Sequence, residues 1–225
     1  MKHHRFFGLV TATMVAVSLA GLAHADRSTD LVFSEDVLTG LKTGASISYD
    51  HVRSGEEVRG IKALDDGRIL LRIVPAEIGD REVLLEIREG DKLRSRVNFP
   101  SGGGNPMVMV FLESALRAVA GATGGSPFYL RNRMKDSLRR GGTIEPVKIT
   151  VDGKEIDALK ITFKPFVNDK NADRMGEFSK MELIFVTSEE VPGGFALMEA
   201  RVPGGEGGGV YDEAMRFKAS TDPQD

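Results

Sequence analysis

The chain has 225 residues, 30 basic and 33 acidic, for a net charge of −3, with no Cys and no Trp. That balance lacks the basic excess of a nucleic-acid binder, and the absence of Cys removes thiol nucleophiles, disulfides and thiolate metal sites. Three of the four His (His3, His4, His24) fall in the first 25 residues, so beyond them only His51 could serve a catalytic triad or a metal.

Met1 to Arg5 is basic, Phe6 to Ala23 is apolar and uncharged, and Ala23-His24-Ala25 places small residues at both positions of an A-x-A cleavage site. This is the pattern of a secretory signal peptide cut after Ala25; the alternative is an N-terminal membrane anchor. No Cys follows the site, which excludes a lipoprotein signal. Export, most simply to a periplasm, is the expected fate. Cleavage would remove Lys2 and Arg5, leaving 28 basic and 33 acidic residues, a net charge of −5. The remaining 200 residues suit a single domain over 26–219 with a polar tail at 220–225.

After a lead-in where Ser34 could cap a short helix bearing Val37, Leu38 and Leu41, alternation takes over. Ile47, Tyr49 and His51 alternate with polar residues in one strand. The stretch "EVRGIKALDDGRILLRIVP" predicts two strands around an Asp65-Asp66-Gly67 turn, and "EVLLEIREGDKLRSRVNFP" two more around Glu89-Gly90-Asp91. A period of two with one wet face indicates an antiparallel sheet.

Ser101 to Gly104 interrupts this pattern, and two helices follow. Asn105 and Pro106 make an N-cap and first helical position, and Gly121 and Gly124 mark the far end. Met107, Val108, Val110, Phe111, Leu112, Ala115, Leu116, Val119 and Ala120 surround most of this helix, leaving Glu113, Ser114 and Arg117 as a polar edge. It is too short and too charged to span a bilayer, so it is expected to be buried. Ser126-Pro127 opens a second helix closed by Gly141-Gly142, in which Arg131, Lys135 and Arg139 form a basic stripe. Such a stripe is either a solvated face or a contact for an anionic membrane surface.

Strands resume with a hairpin around Asp152-Gly153, where Val147, Ile149 and Val151 form one stripe and Leu159, Ile161 and Phe163 its partner. "FSKMELIFVTS", "FALMEARVP" and "VYDEAMRFKA" supply the rest, separated by Gly-rich turns. The count is about ten strands with a two-helix insertion over 105–140. The expected fold is mainly β (α+β): a curved antiparallel sheet or half-barrel with the helices over its concave face.

Candidate sites are few. Asp169, Asn171 and Asp173 open like a calcium loop, but Arg174 replaces the required Gly and Lys180 the bidentate acid. No phosphate-binding Gly pattern occurs, no Asp/Glu pair stands out for hydrolysis, and no cofactor, metal site or catalytic residue is assigned. The buried helix offers Met107, Val108, Phe111, Leu112 and Leu116 as the wall of an apolar cavity for a lipid or acyl chain, if it leaves room for a guest; otherwise it simply completes the core.

Strands, an apolar helical insertion and further strands behind a signal peptide resemble the LolA/LolB type of periplasmic lipoprotein carrier. That resemblance lies in element order, and implies an incomplete β-barrel covered by helices and a lipid or lipoprotein partner. "GNPMVMVFLESALRAV" with "FYLRNRMKDSL" also resembles uncharacterised exported bacterial proteins. Three functions follow as alternatives: a non-enzymatic carrier of an apolar ligand, a ligand-free structural or interaction protein of the cell envelope, and a carboxylate-dependent hydrolase.

Overall fold

The computed structural model describes residues 27–55, 58, 60–204 and 209–223. The expected signal peptide and the cleavage site expected after Ala25 lie outside the described residues.

A helical segment over 27–33 and a 3-10 turn at Asp36–Leu38 lead into the sheet. Its strands are β1 (Ser46–Ser54), β2 (Leu64–Pro75), β3 (Arg81–Glu89), β4 (Lys92–Pro100), β5 (Thr143–Val151), β6 (Lys154–Phe163), β7 (Glu182–Thr187), β8 (Phe195–Val202) and β9 (Tyr211–Thr221). Helices α1 (Met107–Thr123) and α2 (Pro127–Arg140) separate β4 from β5, and a short α3 (Ala172–Met175) precedes β7. All nine strands form one antiparallel sheet in the order β4-β3-β2-β1-β9-β8-β7-β6-β5. Two meanders therefore meet at β1 and β9, and the helices join the two outer edges across one face.

Laid flat, nine strands would extend about 38 Å at about 4.8 Å per strand, several times the width of a helix. Yet one core cluster unites Val83 and Leu85 of β3, Ile69 and Leu71 of β2, Phe163 of β6, Phe185 of β7, and Met107, Phe111 and Leu116 of α1. The sheet curls around the helices, as the element order predicts.

Asn105 stands one residue before the N-cap, which is Pro106, yet still serves the helix start: its side-chain oxygen accepts the Met107 amide at 3.0 Å, and its Nδ2 donates to the Gly193 carbonyl at 2.8 Å. The helix runs past Gly121 to Thr123, and ends where Gly124 turns left-handed (φ 66°). Three strand expectations change. Asp65-Asp66-Gly67 is no turn, because β2 runs straight through it. Gly67 is there for close approach: a Cβ would lie 2.4 Å from the His51 carbonyl oxygen, at a register shift in the β1–β2 pairing. "FSKMELIFVTS" yields only Glu182–Thr187, since a 3-10 turn takes Gly176–Lys180; the described residues hold nine strands rather than about ten. Finally, Val147 and Ile149 pack with Ala158, Ile184 and Val186 in a separate small cluster, away from Ile161 and Phe163.

Candidate functional site

The seating of α1 decides what space remains. Phe111 sits edge-on to Phe185 of β7 (centroids 5.3 Å apart, interplanar angle 84°), and Phe185 in turn meets Phe163 and Phe195. The helix is thus anchored on the β6–β8 half. The other half is incompletely covered. In β3 and β4 the register pairs Ile87 with Ser95, Leu85 with Val97 and Val83 with Phe99, so these side chains share the inward face. Val83 and Leu85 are buried there, but Ile87 and Phe99 are half-exposed and Val97 is exposed.

A cavity of about 730 Å³ occupies that gap. Its sheet side is His51, Arg53, Ile69, Ile87, Ser95, Phe99 and Met215; its helix side is Met109, Val110, Ser114 and Ala118. Lys62, Arg94, Glu113 and Arg117 also border it. The three polar-edge residues of α1 all take part. Of the residues expected to wall a cavity, Met107, Val108, Phe111 and Leu116 are buried in the core, and Leu112 packs against it half-buried. None of the five lines this cavity. They hold the helix from behind while its adjacent face, with Met109 61% exposed, meets the open space.

Behind the cavity lies a buried polar centre. Strand β9 turns Tyr211, Glu213 and Met215 inward, and β1 turns Tyr49 and His51 inward, with Arg53 directly opposite Glu213. The fully buried Glu213 uses Oε1 to accept from His51 Nε2 at 2.6 Å, Arg53 Nη2 at 2.7 Å and the Ser114 hydroxyl at 2.7 Å. Its Oε2 accepts the Tyr211 hydroxyl. Ser114 also accepts from Arg53 Nη2 at 2.9 Å, so β1, β9 and α1 are tied at one carboxylate. Burial opposes ionisation of Glu213, but the hydrogen bonds from His51 and Arg53 and their charges outweigh it and bring its pKa down to about 2. Burial, reinforced by the Glu213 charge, pushes the Tyr211 hydroxyl well above its usual range.

Besides the Tyr49 hydroxyl, two atoms of the centre are left without partners. His51 is 5% exposed, its Nε2 engages Glu213, and its Nδ1 has no partner among the described residues; the same is true of Arg53 Nε. Both residues line the cavity, whereas Glu213 does not. Arg53, Ser114, Tyr211 and Glu213 were not legible as a site in the sequence. The available signal was an acid on the inward face of an alternating strand, Tyr211-Glu213-Met215.

The other sequence candidates lie apart. Arg131, Lys135 and Arg139 are exposed along α2; Arg131 reaches Glu113 at 3.1 Å, and Arg139 lies 3.9 Å from Asp136. Phe128, 72% exposed, shares their helical face. Asp169, first of the calcium-like residues, accepts the Tyr129 hydroxyl and the Asn171 amide and pairs with Arg133 at 3.0 Å, fastening its loop to α2. Among the described residues no group of three His, Cys, Asp or Glu could hold a metal. A second cavity of about 670 Å³ lies between the 27–33 segment and β5–β8, with Leu31, Val37, Pro146 and Phe195 beside Glu189 and Glu190. No described helix is long and apolar enough to cross a membrane.

No family model and no curated protein matches the sequence. Among solved structures, the lipoprotein LppX of Mycobacterium tuberculosis aligns over 92% of this chain and 98% of its own, at 11% identity and a TM-score of 0.34. At that level the likeness assigns neither ligand nor activity.

Proposed function

We propose that the protein is an exported binder or carrier of an apolar ligand, an acyl chain or lipid, held between α1 and the inward face of β1–β4. One observation carries this reading. Ile87 and Phe99 stand on the core-facing side of the sheet yet remain partly exposed, lining about 730 Å³ of space. A volume of this order is that of a small-molecule site, and an inward apolar face left open is a recognition surface before it is a packing defect. Met107, Val108, Phe111, Leu112 and Leu116 act here as the fixed back of the wall, so α1 can be permanent core and cavity lining at once.

Contact with an anionic membrane is the natural complement for a lipid carrier. Exposed Phe128 on the Arg131-Lys135-Arg139 face of α2 supports it, since an aromatic beside a basic stripe suits the headgroup boundary.

Gentle purification followed by native mass spectrometry, and titration with a fluorescent C16 probe, test the binding role. A retained lipid or saturable probe binding, weakened about tenfold or more by Phe99→Asp, is expected. A protein that carries no lipid and leaves the probe free would sink it.

A further inference from the structure

We infer that the ligand of this cavity is an amphiphile with an acidic head, a carboxyl or phosphate monoester, seated at His51 and Arg53 with its chain over Ile87 and Phe99. This rests on the apolar-ligand reading and adds the chemistry of the head.

His51 Nδ1 and Arg53 Nε, on two residues that line the cavity, have no partner among the described residues. Arg53 Nε is a donor, and Nδ1 is the imidazole nitrogen that does not engage Glu213. Buried polar atoms without partners are rare in folded proteins, and two on neighbouring residues of one cavity point to a group that is meant to be there. A single acid group satisfies both. One oxygen accepts from Arg53, and the acid proton, kept by the ligand or passed to Nδ1, lies between them. An ester can only accept, and a neutral hydroxyl, which can both donate and accept, brings no charge.

The mouth agrees in sign. Glu89 takes both Lys62, at 3.0 Å, and Arg94. Glu113 takes Arg117 at 3.0 Å and Arg131 at 3.1 Å. Four cations share two acids, so the rim is electropositive even with each ion pair formed. An anion can recruit a guanidinium from such a shared carboxylate without stranding it. Behind this rim Arg53 and His51 both engage the single Glu213 carboxylate.

Hexadecanoate and hexadecanol share a chain and differ in the head, so displacement of a neutral C16 probe by each separates the two levels of the claim. The wild type should bind hexadecanoate about tenfold or more tightly than hexadecanol, the size of one charge-assisted hydrogen bond. Exposed Arg94 and Arg117 lie outside the Glu213 network, so Arg94→Gln with Arg117→Gln should fold normally and reduce that ratio. Arg53→Gln should abolish it where circular dichroism shows the fold retained. Inorganic phosphate at about 10 mM should displace neither. Equal binding of acid and alcohol overturns the acidic head but leaves the apolar site standing. Displacement of hexadecanoate by phosphate points to a free-anion site and overturns the amphiphile. Binding of neither chain overturns this inference and the apolar-ligand reading together.

Discussion

Replacing Glu213 by Gln tests the buried centre with little change in shape. The wild-type carboxylate titrates at about 2, against an ordinary value of 4.5. That shift of about 2.5 units corresponds to roughly 3 kcal/mol, at about 1.36 kcal/mol per unit. A folded-state pKa below the unfolded one gives stability that is present above the unfolded value and lost as pH falls through the folded value. The wild type should therefore exceed Glu213→Gln by about 3 kcal/mol at pH 6, a figure also expected for breaking a buried ion pair from one side. The gap should narrow between about pH 5 and pH 2 and nearly vanish below, where the wild-type carboxyl is protonated and resembles the amide. Other acids with depressed values, Glu86 beside Arg96 and Asp169 beside Tyr129 and Arg133, add their own acid sensitivity, but to both proteins equally. Urea unfolding at half-unit pH steps, followed by far-UV circular dichroism because the chain lacks Trp, measures the difference. A gap that stays constant from pH 6 to pH 2, or no gap at pH 6, refutes the ionised, multiply bonded Glu213.

Phe111→Ala should cost about 3–5 kcal/mol in urea unfolding, because the ring is fully buried against Phe185, whereas Met109→Ala should stay within about 0.5 kcal/mol. Gly60 is left-handed (φ 81°) and an added Cβ would stand 2.7 Å from the Gly121 carbonyl carbon, so Gly60→Ala should lower stability by about 1–3 kcal/mol and speed hydrogen exchange at the C-terminal end of α1. On the proposed membrane contact, the protein should sediment with phosphatidylglycerol vesicles at low salt, less so at about 0.5 M salt, and less as Phe128→Ser; equal partition onto neutral vesicles argues against the basic stripe.

Much of the fold was legible because local chemistry and tertiary structure agreed. Glu89-Gly90-Asp91 and Asp152-Gly153 are turns, and the latter takes left-handed angles at both residues (φ 50° and 78°). Asp65-Asp66-Gly67 carries the same signal and is strand, because its glycine answers a neighbouring backbone at His51 that no local window contains. The helix was legible as buried, but not which of its sides would face a void. That depends on Phe111 finding Phe185, residues 74 positions apart in sequence. Its polar edge was legible, but not what it meets: Ser114 reaches Glu213, and Glu113 and Arg117 border the cavity.

The location of the cavity follows from these two anchors. The chain must travel from the β4 edge to the β5 edge, and α1 makes the crossing as a rigid rod. Aromatic packing holds one side of it to β7, and the Ser114–Glu213 bond holds its polar edge to the seam where β1 meets β9. With both fixed, the helix cannot slide toward β4 to close the gap without giving up the Ser114–Glu213 hydrogen bond, a loss of about 1.5–3 kcal/mol, or opening the Phe111–Phe185 contact, a loss of several kcal/mol. The alternative of filling the space with side chains is not used, since Ala118 and Ser114 are the residues α1 turns toward it at its middle and Ser95 answers from β4. Small residues facing a hollow whose walls are held from behind keep it open, and this separates a built cavity from loose packing.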